Sequence, residues 1–222
     1  MQRAIVLVSG GMDSCVTASI AKDSGYELNF LHINYGQRTE KRELESFNKL
    51  SEFFKVRNKL VVDITYLKEI GGSSLTDFSI DVEKGEVDRK EIPSTYVPFR
   101  NGNIVSIAVS WAEVLKASRI FIGVVEEDGS GYPDCRKSFY DAFNSLLKVG
   151  LAYTDLRIET PLISISKGEI VKKGLELGAP FELTWSCYKM EDIACGECDS
   201  CLLRLKGFRE AGILDPIPYI KR

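Results

Sequence analysis

The sequence predicts an α/β protein: a parallel five-stranded sheet flanked by helices, with a small cysteine-rich region after it. Three observations carry this. Short apolar runs alternate with amphipathic stretches and show no hairpin pattern, which argues for a parallel sheet covered on both faces. The first apolar run, Ala4-Ile5-Val6-Leu7-Val8, leads straight into a glycine loop and then a helix. Four cysteines, Cys187, Cys195, Cys198 and Cys201, crowd into fifteen residues near the end.

Residues 3–8 read as the first strand and about 13–24 as the first helix. Between them runs Ser9-Gly10-Gly11-Met12-Asp13-Ser14. Two glycines let the backbone approach an anion and aim N–H groups at it. The helix start behind them adds partial positive charge. Ser9 and Ser14 bring hydroxyl donors. Asp13 would repel phosphate unless a magnesium ion lies between them, since that hard cation takes oxygen ligands. No Gly-Lys-Ser/Thr ends the loop, so it is not a Walker A sequence.

Glu27 to Asn34 is the second strand, followed by the turn Tyr35-Gly36-Gln37-Arg38 at the sheet edge where open α/β folds hold ligands. His32, the sole histidine, sits inside that strand and reads as structural. Thr39 to about Lys55 is an amphipathic helix, with Leu44, Phe47, Leu50 and Phe54 at helical spacing. Lys59 to Ile64 is the third strand. Residues 65–95 break the rhythm. Their glycines and charges read as a surface excursion, with a ligand-responsive lid as the second reading.

Val97-Pro98-Phe99-Arg100-Asn101 turns into a helix over about 103–117. Arg100 offers a rigid fork for phosphate or carboxylate, or pairs at the surface. Arg119 to Val125 is the fourth strand. The loop after it, Glu126 to Arg136, sets Asp134, Cys135 and Arg136 in a row before a helix reaching about Val149. Reactive groups gathered on a strand-to-helix loop point to function. Leu156 to Glu159 is the fifth strand. Ser166-Lys167-Gly168-Glu169 is a capping box that starts a helix ending near Gly178. Lys167 at a helix start reads either as a solvated lysine or as a cation facing a bound anion.

The tail carries Trp185-Ser186-Cys187-Tyr188, then Cys195-Gly196-Glu197-Cys198-Asp199-Ser200-Cys201. Four thiolates suit a closed, structural zinc site, and an iron–sulfur cluster uses the same ligand type. Cys15 reads as a small core residue, and the role of Cys135 stays open. The organisation expected is residues 1–180 as the nucleotide-binding body and 181–222 as a zinc-binding helical region. Net charge −3 gives no basic footprint for nucleic acid. The first strand begins without a leader, and no apolar run could span a bilayer, so a cytoplasmic location is expected.

Ser9 to Ser14 resembles the SGGxDS signature of PP-loop ATP pyrophosphatases, which cleave ATP between the α and β phosphates and transfer AMP to an oxygen of the substrate. With YGQR at 35–38, VPFRN at 97–101, SGYPDCR at 130–136, TPL at 160–162, SK at 166–167, WSCY at 185–188, CGECDSCLLRLKGF at 195–208 and DPIPY at 215–219, nearly the whole chain resembles the 7-cyano-7-deazaguanine (preQ0) synthase family. Two departures stand near the expected site. Thr39 replaces the histidine that often follows YGQR, and Gly123-Val124-Val125-Glu126-Glu127-Asp128 replaces a segment closer to GVNAED.

The resemblance implies a Rossmann-like PP-loop fold and an enzyme that uses ATP, magnesium and ammonia to turn 7-carboxy-7-deazaguanine into an amide and then a nitrile. It implies ATP contacts from Val8, Ser9, Gly10, Gly11, Met12, Asp13, Ser14, Tyr35, Gln37 and Arg38. Arg100, Asn101, Tyr132, Asp134, Cys135 and Arg136 would meet the substrate. Asp13, Arg100, Lys167, Asp134 and Arg136 would act in catalysis, and the four tail cysteines would hold zinc. A homodimer is implied, with no nucleic-acid or membrane partner. A tRNA-modifying PP-loop relative would want a basic surface, and a non-catalytic nucleotide sensor would not need Asp13 or the Asp-Cys-Arg run.

Overall fold

The computed structural model describes residues 2–85, 91–126, 131–152 and 155–220. Residues 127–130 of the acidic and glycine-rich loop, and 86–90 of the excursion, lie outside the described residues. The strands are β1 (Arg3–Leu7), β2 (Glu27–Asn34), β3 (Asn58–Asp63), β4 (Arg119–Ile122) and β5 (Arg157–Glu159). All pairings are parallel, in the order β3-β2-β1-β4-β5. The helices are α1 (Met12–Asp23), α2 (Glu40–Phe54), α3 (Tyr66–Ile70), α4 (Arg100–Leu115), α5 (Lys137–Gly150), α6 (Lys167–Glu176) and α7 (Asp199–Glu210).

The apolar run in β1 is explained by its place at the centre. Ile5 and Leu7 face one layer, with Val105 and Ala108 of α4 and Tyr140 and Leu147 of α5. Ala4 and Val6 face the other, with Cys15 and Ala18 of α1 and Phe47, Leu50 and Phe54 of α2. A strand covered on both sides has no solvent face to keep polar. Cys15 is fully buried there, as a small core residue. His32 is also structural: its Nδ1 lies 2.8 Å from the Val8 carbonyl and its ring stacks near Phe47.

The order reverses between β1 and β4, the switch point at which open α/β sheets leave a crevice. β4 stops at Ile122, shorter than the sequence predicts. A Cβ on Gly123 would stand 2.8 Å from the Thr17 hydroxyl and 2.9 Å from the Asp13 carbonyl, so α1 passes directly over the strand end. α4 starts at Arg100 rather than 103. Phe99 takes the left-handed conformation before it, and Asp134 caps its first turn.

Residues 65–95 are not the loose surface excursion their composition suggests. They contain α3, Ser73, Ser74 and Thr76 are fully buried, and Leu67 and Leu75 join the main core. Arg38 fastens the segment, donating to the carbonyls of Ser74, Asp77 and Ile80. Val82 packs with the tail cysteines.

The region after residue 180 is built into the body. α7 crosses α6 closely: a Cβ on Gly207 would meet the Lys167 carbonyl at 2.9 Å, and one on Gly168 would meet the Glu210 side chain at 2.7 Å. The last residues dock through Arg204, which is 1 % exposed and makes a two-pronged contact with Asp215 at 2.7 and 2.9 Å. Tyr219 donates to the same carboxylate.

Candidate active site

The crevice at the switch point is a cavity of about 290 Å³. Its floor is the loop between β1 and α1. Gly10 has φ of 90°, a conformation that favours glycine, and a Cβ there would stand 2.6 Å from the Glu43 carbonyl. The Gly11 N–H donates to Ser9 Oγ, and Ser14 Oγ donates to the Gly11 carbonyl. These bonds shape a turn whose helix start opens on the cavity.

Asp13 stands in the first turn of α1. Its Oδ2 accepts from Lys167 Nζ at 2.8 Å. Lys167 is 7 % exposed, and the capping box predicted for Ser166 and Glu169 is present. The anion that a lysine at a helix start called for is therefore, in part, the Asp13 carboxylate. Asp13 Oδ1 is buried and has no hydrogen-bond partner among the described residues. An orphaned carboxylate oxygen beside a phosphate-type loop fits a hard divalent cation such as magnesium.

A wall of aromatic and cationic groups faces this floor. Arg100 donates to the Tyr35 hydroxyl at 3.0 Å, and its guanidinium lies 5.1 Å from that ring. No carboxylate pairs with Arg100 among the described residues. Burial pushes the Tyr35 phenol up to about 12 and raises those of Tyr132 and Tyr188. Cys135, also on the lining, is pushed up to about 11, chiefly by burial, so it stays a thiol at neutral pH.

Of the residues singled out from the sequence, Val8, Ser9, Gly11, Met12, Asp13, Ser14, Tyr35, Arg100, Asn101, Tyr132, Cys135 and Lys167 line the cavity. Five others stand back. Gly10 is behind the loop, and Gln37 bridges the Tyr35 N–H and Glu43. Arg38 holds the 65–95 segment. Asp134, buried, accepts from the Asn101 N–H at 2.9 Å and so ties its loop to the start of α4; burial raises its carboxyl against that bond. Arg136 is exposed ahead of α5. Asp134 and Arg136, read from the sequence as facing the substrate, thus stand behind and outside the wall rather than on the cavity lining.

Other lining residues escaped the sequence reading: Glu43, and Trp185, Ser186, Tyr188 and Arg204 from the cysteine-rich region. Glu43 had a legible signal. It is four residues before Phe47, on the apolar face of α2, where a carboxylate is out of place. Thr39 and Gln37 donate to it at 2.8 and 3.1 Å, and burial pushes it up to about 7. Trp185 had no local signal. Its N–H donates to the Gly10 carbonyl at 2.8 Å, a contact across the fold.

The sulfurs of Cys187, Cys195, Cys198 and Cys201 all lie within 4.8 Å of one another. The N–H groups of Lys189, Met190 and Cys195 point at Cys187 Sγ, and that of Glu197 at Cys195 Sγ. Thiol donation from Cys198 first, then Cys201, holds the Cys187 thiol well below its ordinary value. Backbone donors around a buried four-sulfur cluster fit a tetrahedral metal held by thiolates.

A glycine loop at the switch point of a 3-2-1-4-5 parallel sheet, with a carboxylate in the first helical turn, defines a nucleotide-using α/β protein of the PP-loop class. A solved 4-thiouridine synthetase, in complex with RNA and with bound ATP, shares the fold at a TM-score of 0.51 and 18% identity, over 95% of this chain and 50% of that one. The model for the family described as "Queuosine biosynthesis protein QueC" matches residues 3–212, and the chain belongs to that family. Relatives called 7-cyano-7-deazaguanine synthase match from end to end. The one from Chloroherpeton thalassium is 58% identical over 98% of this chain and 96% of its own. That from Chlorobium phaeobacteroides is 56% identical over 99% and 98%. That from Acidobacterium capsulatum is 54% identical over 100% and 98%.

Proposed function

We propose that the chain is an ATP-dependent ligase that converts 7-carboxy-7-deazaguanine and ammonia into 7-cyano-7-deazaguanine. The observation that carries this is the end-to-end likeness to relatives of that name at 54–58% identity. The chemistry accounts for the site's composition. A carboxylate is a poor electrophile because its leaving group would be oxide. Adenylation of one oxygen at the nucleotide loop replaces oxide with AMP, and ammonia then displaces AMP to give the amide. Adenylation of the amide oxygen and loss of a second AMP leave the nitrile.

Ser9, Gly11 and Ser14 bind phosphate, and Asp13 would hold a magnesium ion, which would neutralise phosphate charge. Lys167 orients the Asp13 carboxylate by its contact at 2.8 Å. Arg100, with no carboxylate of its own, meets the substrate's acid group or leaving pyrophosphate. Tyr132, Asn101 and Cys135 shape the place for the deazaguanine ring. The four tail cysteines would hold zinc as a closed structural site. The protein works in the cytoplasm as a homodimer, so light scattering at high micromolar concentration should give twice the chain mass. A monomer mass would overturn the dimer. The central test is ATP–pyrophosphate exchange, which should depend on added 7-carboxy-7-deazaguanine. Exchange that ignores the acid would overturn the substrate assignment.

A further inference from the structure

Ammonia carries three N–H protons and a nitrile nitrogen carries none. Given the reaction proposed above, three protons must leave the nitrogen in each turnover. When ammonia attacks the adenylated acid, the C–N bond forms, the C–O bond to AMP breaks, and one proton leaves. When the amide oxygen bonds to the α-phosphorus, pyrophosphate departs and a second proton leaves. When the C–O bond to the second AMP breaks, the third N–H pair becomes the last bond of the nitrile and its proton leaves. A side chain beside the reacting nitrogen that can accept a proton would speed each of these losses.

Among the described residues that line it there is no histidine, and the carboxylates are Asp13 and Glu43. Asp13 is engaged by Lys167 at the nucleotide loop. The phenols of Tyr35, Tyr132 and Tyr188 and the Cys135 thiol are held protonated by burial. Glu43 stands apart from these. It is paired with no lysine or arginine among the described residues, and its oxygens are fixed by the neutral donors Thr39 and Gln37. Arg100 from α4, Tyr35 and Glu40 are the other ionisable groups around it. Its own backbone lies against Gly10 of the nucleotide loop, so it is near where AMP is made and lost. We propose that Glu43 is the acid–base residue that takes the N–H protons from the reacting nitrogen and returns them to solvent.

Chemically made amide, supplied with ATP and no ammonia, isolates two of the three proton losses. With wild type, the rate of nitrile formation should fall about tenfold per pH unit below about 7, where Glu43 becomes protonated. Glu43→Gln, which keeps the shape and the Thr39 and Gln37 neighbours, should slow this step roughly 10²- to 10⁴-fold and lose that limb. Glu43→Asp should recover part of the rate together with the limb. ATP–pyrophosphate exchange driven by the acid needs no N–H proton to leave, so it should persist in Glu43→Gln. Equal loss of exchange and nitrile formation would make Glu43 a mere support of the loop and overturn the proposal, as would nitrile formation at the wild-type rate. Absence of acid-dependent exchange in wild type would instead overturn the substrate assignment on which the proposal rests.

Discussion

Asp13 and Glu43 are two carboxylates on one cavity with opposite surroundings. Asp13 has a lysine at 2.8 Å and one free oxygen. Asp13→Asn keeps the size but removes the charge that, in the proposed mechanism, would hold a cation against phosphate. Both adenylations need that geometry, so both should slow by roughly a hundredfold or more, a few kcal/mol on each barrier. Rates measured separately with acid plus ammonia and with amide test this. Impairment with the acid alone would show that the loop serves only one round. Glu43 makes no ion pair among the described residues, and burial raises it to about 7. Between its ordinary value and about 7 the folded chain binds a proton that the unfolded chain has lost. The group's contribution to stability is thus complete below pH 4.5 and disappears as pH rises through 7. Glu43→Gln has nothing to ionise. Its unfolding free energy should gain on wild type as pH rises from 5 to 8, measured by urea denaturation; no change in the difference would contradict a buried, unpaired carboxyl. Thr39, where the family often has histidine, donates to Glu43, so that departure from the family pattern touches this group directly.

At the scale of elements, the cysteine cluster and the α6–α7 crossing place the upper wall. Cys187 stands two residues after Trp185, whose backbone N–H donates to the Gly10 carbonyl. A metal bound by the four sulfurs would contribute its binding free energy to the folding of the whole stretch. Freshly purified protein should carry about one zinc per chain by elemental analysis, and iron with visible absorbance would mark a cluster instead. Cys198→Ser should lower zinc content and thermal stability together. Because of the Trp185 contact it should also weaken ATP binding, which equilibrium dialysis can read. Unchanged ATP affinity in a zinc-free variant would show that the loop does not depend on the cluster. The sequence made the cluster itself plain, because three of its thiols recur at a fixed spacing. Its reach to Gly10 was not legible, because a backbone bond between residues so far apart has no local pattern.

At the scale of the molecule, the C-terminal segment closes the structure over the cavity. Arg204 lines the cavity, donates to Thr184 and the Phe181 carbonyl, and grips Asp215. Asp215→Ala would leave a buried guanidinium unpaired, at a cost of about 3–5 kcal/mol. Urea denaturation should show that loss, and a smaller effect than about 1 kcal/mol would mean that water reaches Arg204. The expected split at residue 180 has less meaning than the composition suggests, since Trp185, Ser186, Tyr188 and Arg204 share one cavity with Asp13 and Arg100.

The parallel sheet, the glycine loop after β1, the capped start of α6 and the four-cysteine cluster were all legible in the chain's local pattern. Each rests on a local regularity: a buried strand must be apolar throughout, a phosphate loop needs glycine, a cap needs its partner three residues on, and a metal needs ligands at close spacing. Only the tertiary structure decided which charged groups face one another. It paired Lys167 with Asp13 and turned Asp134 onto the start of α4. It drew residues 73–76 into the core and, among the described residues, gave Glu43 the neutral donors Thr39 and Gln37 in place of an ion pair. Those outcomes depend on packing between segments far apart in the chain. A side chain's partner, and hence its charge and its chemistry, is set by what arrives next to it.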